Sequence, residues 1–212
     1  MLIDAWRYIL LHPDRFGDAL WRHVTLSAAA LAIAVVIAIP LGIWLAGQAR
    51  LALLTINAAN IGRTLPSLAV LALMMPLLGT GFTPALFALT LLALPPILIN
   101  TYAAVRQVDA DVIDAARGMG MTPREITRRV VVPLAVPVIA AGVRIAAIQV
   151  ISGAVLAAYI GGGGLGDFIT AGIAMMQLPL LLVGAIPATL LALGTDLLMG
   201  RLQRSLTPRG LA

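Results

Sequence analysis

The sequence has no cysteine and no lysine, only two histidines, and charged side chains at just 11% of its 212 positions. Without cysteine, a disulfide framework, a thiolate metal site and a cysteine nucleophile are excluded. Both histidines lie within the first 23 residues, so a histidine-based metal or catalytic cluster is not expected. A soluble domain carries roughly 25% charged residues, and the shortage of charge here excludes a soluble enzyme.

Apolar residues are abundant instead: they make up 61% of the chain and indicate a protein that lies in a bilayer. The 14 basic residues are all arginines, and against nine acids they give a formal net charge of +5. They are spread between apolar runs and form no single basic stripe, so nucleic acid is not an expected partner. We predict an all-α polytopic membrane protein.

The number of membrane spans follows from the apolar segments, because a spanning helix needs about 20 mostly apolar residues. Five segments meet this requirement, the second of them interrupted by polar residues and Pro66: 24–48, 51–78, 84–105, 133–160 and 178–199. An alternative count divides the second segment at 62–66 and gives six spans. We keep five, because the piece 51–62 is too short to cross the bilayer alone.

The arginine positions predict how these spans are oriented. With five spans, nine arginines share the side of the loop 106–132 and the C-terminus, and three lie in the N-terminal segment on the opposite side. The positive-inside rule then places the N-terminus outside and the C-terminus in the cytoplasm of a bacterial inner membrane. The nine are Arg50, Arg106, Arg117, Arg124, Arg128, Arg129, Arg201, Arg204 and Arg209.

Residues 1–23 are expected to lie at the membrane surface, ahead of a membrane domain at 24–205. Trp6, Tyr8, Phe16 and Trp21 suit the headgroup level, and the mixture of Asp and Arg between them cannot enter hydrocarbon. This segment is either a plain interfacial anchor or a docking site for a partner outside the cell.

The longest polar stretch, 106–132, is predicted to form two short helices. Asp111 is placed to cap the first, with Asp114 in its first turn, and Gly118 and Gly120 end it. Thr122, Pro123 and Glu125 then have the spacing of a capping box, with Pro at the first helical position. The pair has no apolar stripe long enough for a core of its own, so we expect it to need a partner surface.

The same stretch resembles the EAA signature of binding-protein-dependent ABC importer permeases. That signature is Glu-Ala-Ala, three residues, Gly, nine residues and Ile-x-Leu-Pro; here Asp replaces Glu, and Val replaces both Ile and Leu, at identical spacing. The resemblance implies a coupling helix that sits in a groove of an ATPase subunit. The residues assigned to coupling are Asp114, Ala115, Ala116, Gly120, Thr122 and Glu125.

Further segments, at 39–43, 63–69, 100–102 and 159–167, resemble the osmoprotectant branch of these permeases, which import glycine betaine, carnitine, choline or proline. The resemblance implies a type I importer fold, a second permease chain, an external solute-binding protein and an ATPase that binds the ATP. The chain itself carries no Walker motif, so we expect no enzyme activity, no cofactor, no metal and no catalytic residue.

Polar residues within the spans are candidates for a translocation pathway, because polar groups in hydrocarbon are costly. Arg63 either lines the pathway or bonds to carbonyls at the helix break; Arg144 is expected to snorkel or to pair with a partner subunit. Few aromatics are available for a quaternary-ammonium cage, so selection is expected on the binding protein. The candidates are Asn60, Arg63, Thr64, Ser67, Asn100, Tyr102 and Tyr159.

Two alternative functions remain at this stage. The EAA segment does not report the cargo, so an amino-acid importer permease fits it equally well. An ion-coupled secondary transporter or channel fits less well, because such proteins usually place a carboxylate near the membrane midplane. The single acid within a predicted span is Asp196, close to the cytoplasmic end.

Overall fold

The computed structural model describes residues 1–206, which form ten α-helices and no strand. A π-helical turn, Thr127–Val131, joins α7 to α8, and a 3₁₀ turn, Leu156–Ile160, follows α8. Arg209, one of the arginines used to predict orientation, lies outside the described residues. The helices are α1 Leu2–Leu11, α2 Pro13–Leu45, α3 Ala49–Gly62, α4 Ser67–Leu78, α5 Phe82–Arg106, α6 Ala110–Gly118, α7 Pro123–Ile126, α8 Val132–Ala154, α9 Gly166–Ala174 and α10 Leu178–Leu206.

Four helices are long and apolar enough to cross a membrane: α2, α5, the continuous stretch Pro123–Ala154, and α10. The pair α3 and α4 meets the same test together but is bent by 99° at its break. The break falls at Pro66, as predicted, because proline has no N–H to donate and disfavours helical geometry at the residue before it. The structure therefore has four spans, or five if the bent pair is one.

The centre of the bundle is α5, which packs against α2 on one side and α8 on the other. Small residues allow this close approach: a side chain at Gly42 would lie 2.7 Å from Thr101 Cβ, and one at Gly142 would lie 2.6 Å from Asn100 Cβ. Membrane helices associate through such close packing because lipid is as apolar as their side chains. Five fully buried alanines continue the contact: Ala30, Ala34, Ala88, Ala93 and Ala146.

The N-terminal segment differs from the prediction, because the helix of the first span begins at Pro13 and runs without interruption through residue 24. Residues 13–23 are thus part of α2, and His23 is buried in the bundle. Only α1 is a separate helix, and its Ala5 packs with Phe168 of α9 and Val183 of α10. Proline at the first helical turn explains the start at residue 13.

The stretch 161–177, which lies between the fourth and fifth predicted spans, contains α9. The helix has nine residues and buries Phe168 against α1 and α10. Its closest approaches occur at glycines: a side chain at Gly172 would overlap the backbone of Leu181. A helix this short, opening with Gly166 two residues after a run of four glycines, has no periodic pattern long enough to be read from sequence.

The bundle has two ends, which we name after the loops found there. The glycine-loop end holds Arg22, His23 and the glycine loop, residues 161–164. The coupling-loop end holds Gly42, Gly142 and the coupling loop, residues 106–132. At a rise of about 1.5 Å per residue, the helix from His23 to Gly42 is ~28 Å long. That length matches the ~30 Å hydrocarbon thickness of a bilayer.

Candidate coupling loop and translocation pathway

The first helix of the coupling loop, α6, is capped two residues earlier than predicted. The Asp111 backbone N–H donates to Asp109 Oδ1 at 2.9 Å, so Asp109 is the N-cap and Asp111 lies in the first turn. The prediction of Asp111 as the cap was wrong because two Asp side chains with similar capping ability stand two residues apart. Asp114 lies in the middle of α6 and accepts a 2.8 Å hydrogen bond from Arg117.

The end of α6 depends on Gly120. Its φ is +81°, in the left-handed region that favours glycine. The Gly120 N–H donates to the Arg117 carbonyl, and the Met121 N–H donates to the Ala116 carbonyl, the two bonds of a Schellman motif. The predicted end of the helix at Gly118 and Gly120 is confirmed, and nothing in the described residues lies within 4 Å of a side chain added at Gly120.

The predicted capping box at Thr122 is confirmed. Thr122 Oγ1 accepts the Glu125 backbone N–H at 3.4 Å, and Glu125 Oε2 accepts the Thr122 backbone N–H at 3.0 Å. Pro123 stands at the first helical position. The box fixes the direction of the chain where it turns back toward the membrane as α7, the π turn and α8.

The coupling loop has a small core, contrary to the prediction that it has none. Ala116, Ile126 and Val131 are buried together, and Val105 and Val108 from the end of α5 pack against them. The prediction failed because these residues are apart in sequence and are brought together by the turn at Gly120. The core holds the loop rigidly on the bundle and leaves Asp114, Ala115 and the signature glycine Gly120 exposed.

The break between α3 and α4 carries four of the predicted pathway residues. Asn60, Arg63 and Thr64 are exposed and Ser67 is half-buried. Thr64 Oγ1 donates to the Ile61 carbonyl at 2.7 Å, which satisfies a carbonyl at the break. The Arg63 side chain makes no hydrogen bond or ion pair within residues 1–206, so it does not bond to carbonyls at the break in this chain by itself.

The remaining pathway candidates lie elsewhere. Asn100 is half-buried on α5, and its Nδ2 donates to the Pro96 carbonyl at 2.7 Å. Tyr102 packs against the main core, whereas Tyr159 is exposed at the opposite end of the bundle. The seven candidates therefore do not surround one space within a single chain, and their role in a pathway stays a prediction.

An apolar cavity of about 420 Å³ lies behind the helix break, between α2, α3 and α5. Ala59 and Gly62 line it from α3, and Ala38 and Pro95 line it from α2 and α5. Asn60 and Arg63 are not among its lining residues. The polar side chains of the break therefore point to the outer surface of the chain rather than into this cavity.

At the glycine-loop end, sequence reasoning missed a clamp formed by two neighbouring residues of α2. Arg22 Nε donates to the Gly162 carbonyl at 2.8 Å, and His23 Nε2 lies 3.1 Å from the Ile151 carbonyl. Gly163 and Gly164 have φ values of +76° and +97°, and a side chain at Gly163 would lie 2.7 Å from Arg22 Nε. The glycine run thus lets the loop close against α2.

Asp167 follows this loop in α9, outside the spans. Burial raises the pKa of the Asp167 carboxyl above its ordinary value, and the positive charge of Arg22 offsets part of that shift. The sequence showed Asp167 only as part of the glycine-rich motif.

Arg144 pairs within its own chain rather than with a partner subunit, which corrects one of the two expectations for it. Its Nε donates to Asp196 Oδ1 at 2.6 Å and joins α8 to α10. The sequence did contain a signal for this pair: Asp196 is the one acid within a predicted span, and a lone acid in an apolar helix needs a basic partner. Within residues 1–206, no three His, Asp or Glu side chains are grouped to hold a metal ion.

Comparison with known families gives a match over most of the chain. Residues 38–209 match the family described as binding-protein-dependent transport system inner membrane component. The carnitine transport permease protein OpuCB of Listeria monocytogenes is 44% identical, covering 90% of this chain and 88% of that protein. The osmoprotectant import permease protein OsmW of Salmonella typhimurium is 36% identical, and the match covers 99% of this chain and 100% of that protein.

Solved structures support the same fold. The inward-facing MetNI methionine ABC transporter superposes with a TM-score of 0.81 at 23% identity, covering 92% of this chain and 97% of that one. An amino acid ABC transporter solved with histidines gives a TM-score of 0.75 at 19% identity, covering 93% and 97%. At these identities the likeness shows the type I ABC importer permease fold and says nothing of the cargo.

Proposed function

Because the chain belongs to the family of binding-protein-dependent transport system inner membrane components, we propose that it is the permease subunit of an ATP-driven importer of osmoprotectants. The cargo we propose is a small quaternary-ammonium or related compatible solute, such as carnitine, choline or glycine betaine. Relatives named for carnitine and choline transport are each 44% identical over at least nine tenths of this chain. That identity, far above the likeness to the amino-acid importers, favours the osmoprotectant cargo over an amino acid.

The observation that carries the proposal is the coupling loop. It has its own buried core, a Schellman motif at Gly120 and a capping box at Thr122, so its shape is fixed before any partner binds. Asp114 and Ala115 remain exposed on this rigid platform. Such a platform can transmit the movement of an ATPase subunit to α5 and α8, to which it is joined directly.

The partners follow from the same proposal: a cytoplasmic ATPase, an external solute-binding protein and a second permease chain. We place the N-terminus outside and the C-terminus in the cytoplasm. The exposed polar residues at the α3–α4 break support the second chain, because Asn60 and Arg63 facing lipid would be costly. If these residues instead faced the same surface of a second permease chain, they would line a polar pathway between the two chains. This chain supplies no ATP chemistry and needs no cofactor of its own.

The coupling role is tested by Gly120→Asp. The larger side chain is not blocked by the described residues, so it would project from the proposed docking surface and add a charge there. We expect an inserted permease that no longer co-purifies with its ATPase, while the binding protein still binds solute. Gly17→Asp is the matched control, since Gly17 also has nothing within 4 Å and lies near the other end of the bundle. Full ATPase co-purification with Gly120→Asp would exclude this loop as the coupling surface.

A further inference from the structure

A polar cavity of about 290 Å³ opens between α8 and α10 near the coupling-loop end. Its lining differs from that of the other cavities in carrying three charged side chains, and none of them belongs to the coupling loop or to the predicted pathway. The lining residues are Arg144, Asp196, Leu197, Gly200, Gln203 and Arg204.

Two guanidinium groups converge on Gly200 of α10. Arg144 reaches across from α8, and a side chain at Gly200 would lie 3.1 Å from its Nη1 and would press on the guanidinium. Arg204 Nε donates to the Gly200 carbonyl at 3.2 Å from one turn further along. Each guanidinium has five N–H donors, and the bonds to Asp196 and to Gly200 use one from each.

The cavity has an excess positive charge. Arg144 and Arg204 contribute two positive charges and Asp196 one negative charge, which leaves a formal excess of one. Asp196 Oδ1 accepts a hydrogen bond from Arg144 Nε at 2.6 Å, and this contact orients the Arg144 guanidinium. A planar guanidinium matches the oxygens of a phosphate group in two-point contact, so the chemistry of the cavity selects a phosphate monoanion.

The depth of the cavity indicates the source of that phosphate. Leu178 and Asp196 lie ~27 Å apart along α10 at about 1.5 Å per residue, and Arg204 lies two turns beyond. The cavity therefore straddles the boundary of a ~30 Å hydrocarbon layer, where lipid phosphates lie. Leu197, Leu198 and Leu202 are 48–61% exposed on the same stretch of α10 and offer an apolar surface for acyl chains.

We propose that this cavity binds the headgroup of an anionic phospholipid, with Arg204 and Arg144 contacting its phosphate and the neighbouring leucines contacting its acyl chains. Basic pockets between membrane helices are suited to anionic headgroups. A lipid held there would bridge α8 and α10 in addition to the Arg144–Asp196 pair. The proposal concerns lipid only and does not depend on which solute is transported.

The test is a titration of phosphatidylglycerol into the delipidated permease, purified with its partner subunits, followed by native mass spectrometry. Arg204→Gln removes the charge but keeps hydrogen-bonding atoms, and we expect about fivefold weaker binding at this site, the effect of one basic residue near a charged lipid. Arg50→Gln is the control, because Arg50 is exposed at the same end on α3, away from the cavity. Phosphatidylcholine, whose choline cation offsets the charge of its phosphate, should bind the unaltered chain less tightly than phosphatidylglycerol and lose less affinity with Arg204→Gln.

A second variant is expected to change the affinity for phosphatidylglycerol in the opposite direction. Asp196→Asn keeps an acceptor for Arg144 and raises the excess charge of the cavity, so phosphatidylglycerol should bind more tightly. Competition by millimolar glycerol phosphate should not displace the lipid, because it lacks acyl chains; full displacement would assign the site to a free phosphate and overturn the lipid proposal. Equal phosphatidylglycerol affinity for Arg204→Gln, Arg50→Gln and the unaltered chain would also overturn it.

Discussion

Arg144 and Asp196 show how pairing allows two charged side chains to lie within membrane-spanning helices. Each lies in an otherwise apolar span, and each has about a third of its side chain exposed. An unpaired charge at this depth is costly, whereas a paired one joins two helices. The sequence identified both residues as unusual but could not pair them, because their partnership depends on how α8 and α10 align.

Removing one partner should therefore destabilise the permease more than removing both. We expect Asp196→Ala to lower the unfolding temperature more than the double variant does, because it leaves the Arg144 guanidinium without its partner between α8 and α10. Thermal unfolding in detergent of Arg144→Ala, Asp196→Ala and the double variant provides a double-mutant cycle. Additive losses would mean that the two residues do not interact.

Asp167 gives a residue-scale prediction with a pH dependence. Because burial raises the pKa of its carboxyl, the charged form destabilises the folded protein above the ordinary carboxyl pKa, and this effect disappears as the pH falls. Asp167→Asn should unfold at an equal or higher temperature than the unaltered chain at pH 7. The advantage should vanish below about pH 4, near the pKa of an unfolded Asp. A variant less stable than the original at pH 7 would contradict this account.

At the scale of elements, helix ends were predictable where one residue decides them. The capping box at Thr122, the break at Pro66 and the end of α6 at Gly118 and Gly120 all follow from local chemistry, and all three are confirmed. The start of α2 at Pro13 was missed because charged residues in 13–23 resemble a surface segment. Tertiary contacts hold them in the helix instead: Arg22 donates to the Gly162 carbonyl of the glycine loop, and His23 contacts the Ile151 carbonyl of α8.

Gly118 and Gly120 allow a matched test of the coupling-loop turn. Gly118 is the last residue of α6, whereas Gly120 has a φ of +81°, and neither has a neighbour within 4 Å of an added side chain. Gly120→Ala should cost about 1 kcal/mol of stability because it forces a left-handed alanine. Gly118→Ala should cost nothing or stabilise slightly. Hydrogen exchange at Met121, which donates to Ala116 across the turn, reports the difference; equal protection in both variants would contradict it.

At the scale of the whole molecule, the pathway was the least predictable part. The seven candidate residues were chosen as polar groups within apolar segments, and the structure distributes them between the α3–α4 break, the inside of α5 and the glycine-loop end. Sequence pattern shows that a residue is polar within a span but not which surface it shares. A pathway between two chains would have walls on both of them, which one chain cannot display.

The orientation of the chain can be tested directly because it contains no cysteine. Thr80→Cys lies at the glycine-loop end and Ser205→Cys lies in the last turn of α10, and both positions are exposed. In intact cells, a membrane-impermeant maleimide should label Thr80→Cys, while Ser205→Cys should be labelled only after the cells are opened. The reverse pattern would contradict the proposed outside N-terminus and cytoplasmic C-terminus.

The central claim, ATP-driven import of an osmoprotectant through this permease, is tested most directly by uptake into proteoliposomes. The vesicles would contain the permease and its ATPase, with the binding protein and radiolabelled carnitine, choline or glycine betaine outside and ATP or a non-hydrolysable analogue inside. We predict uptake of at least one of these solutes with ATP, none with the analogue, and no competition by methionine or histidine. Uptake that persists without ATP and follows an imposed sodium or proton gradient would contradict the account.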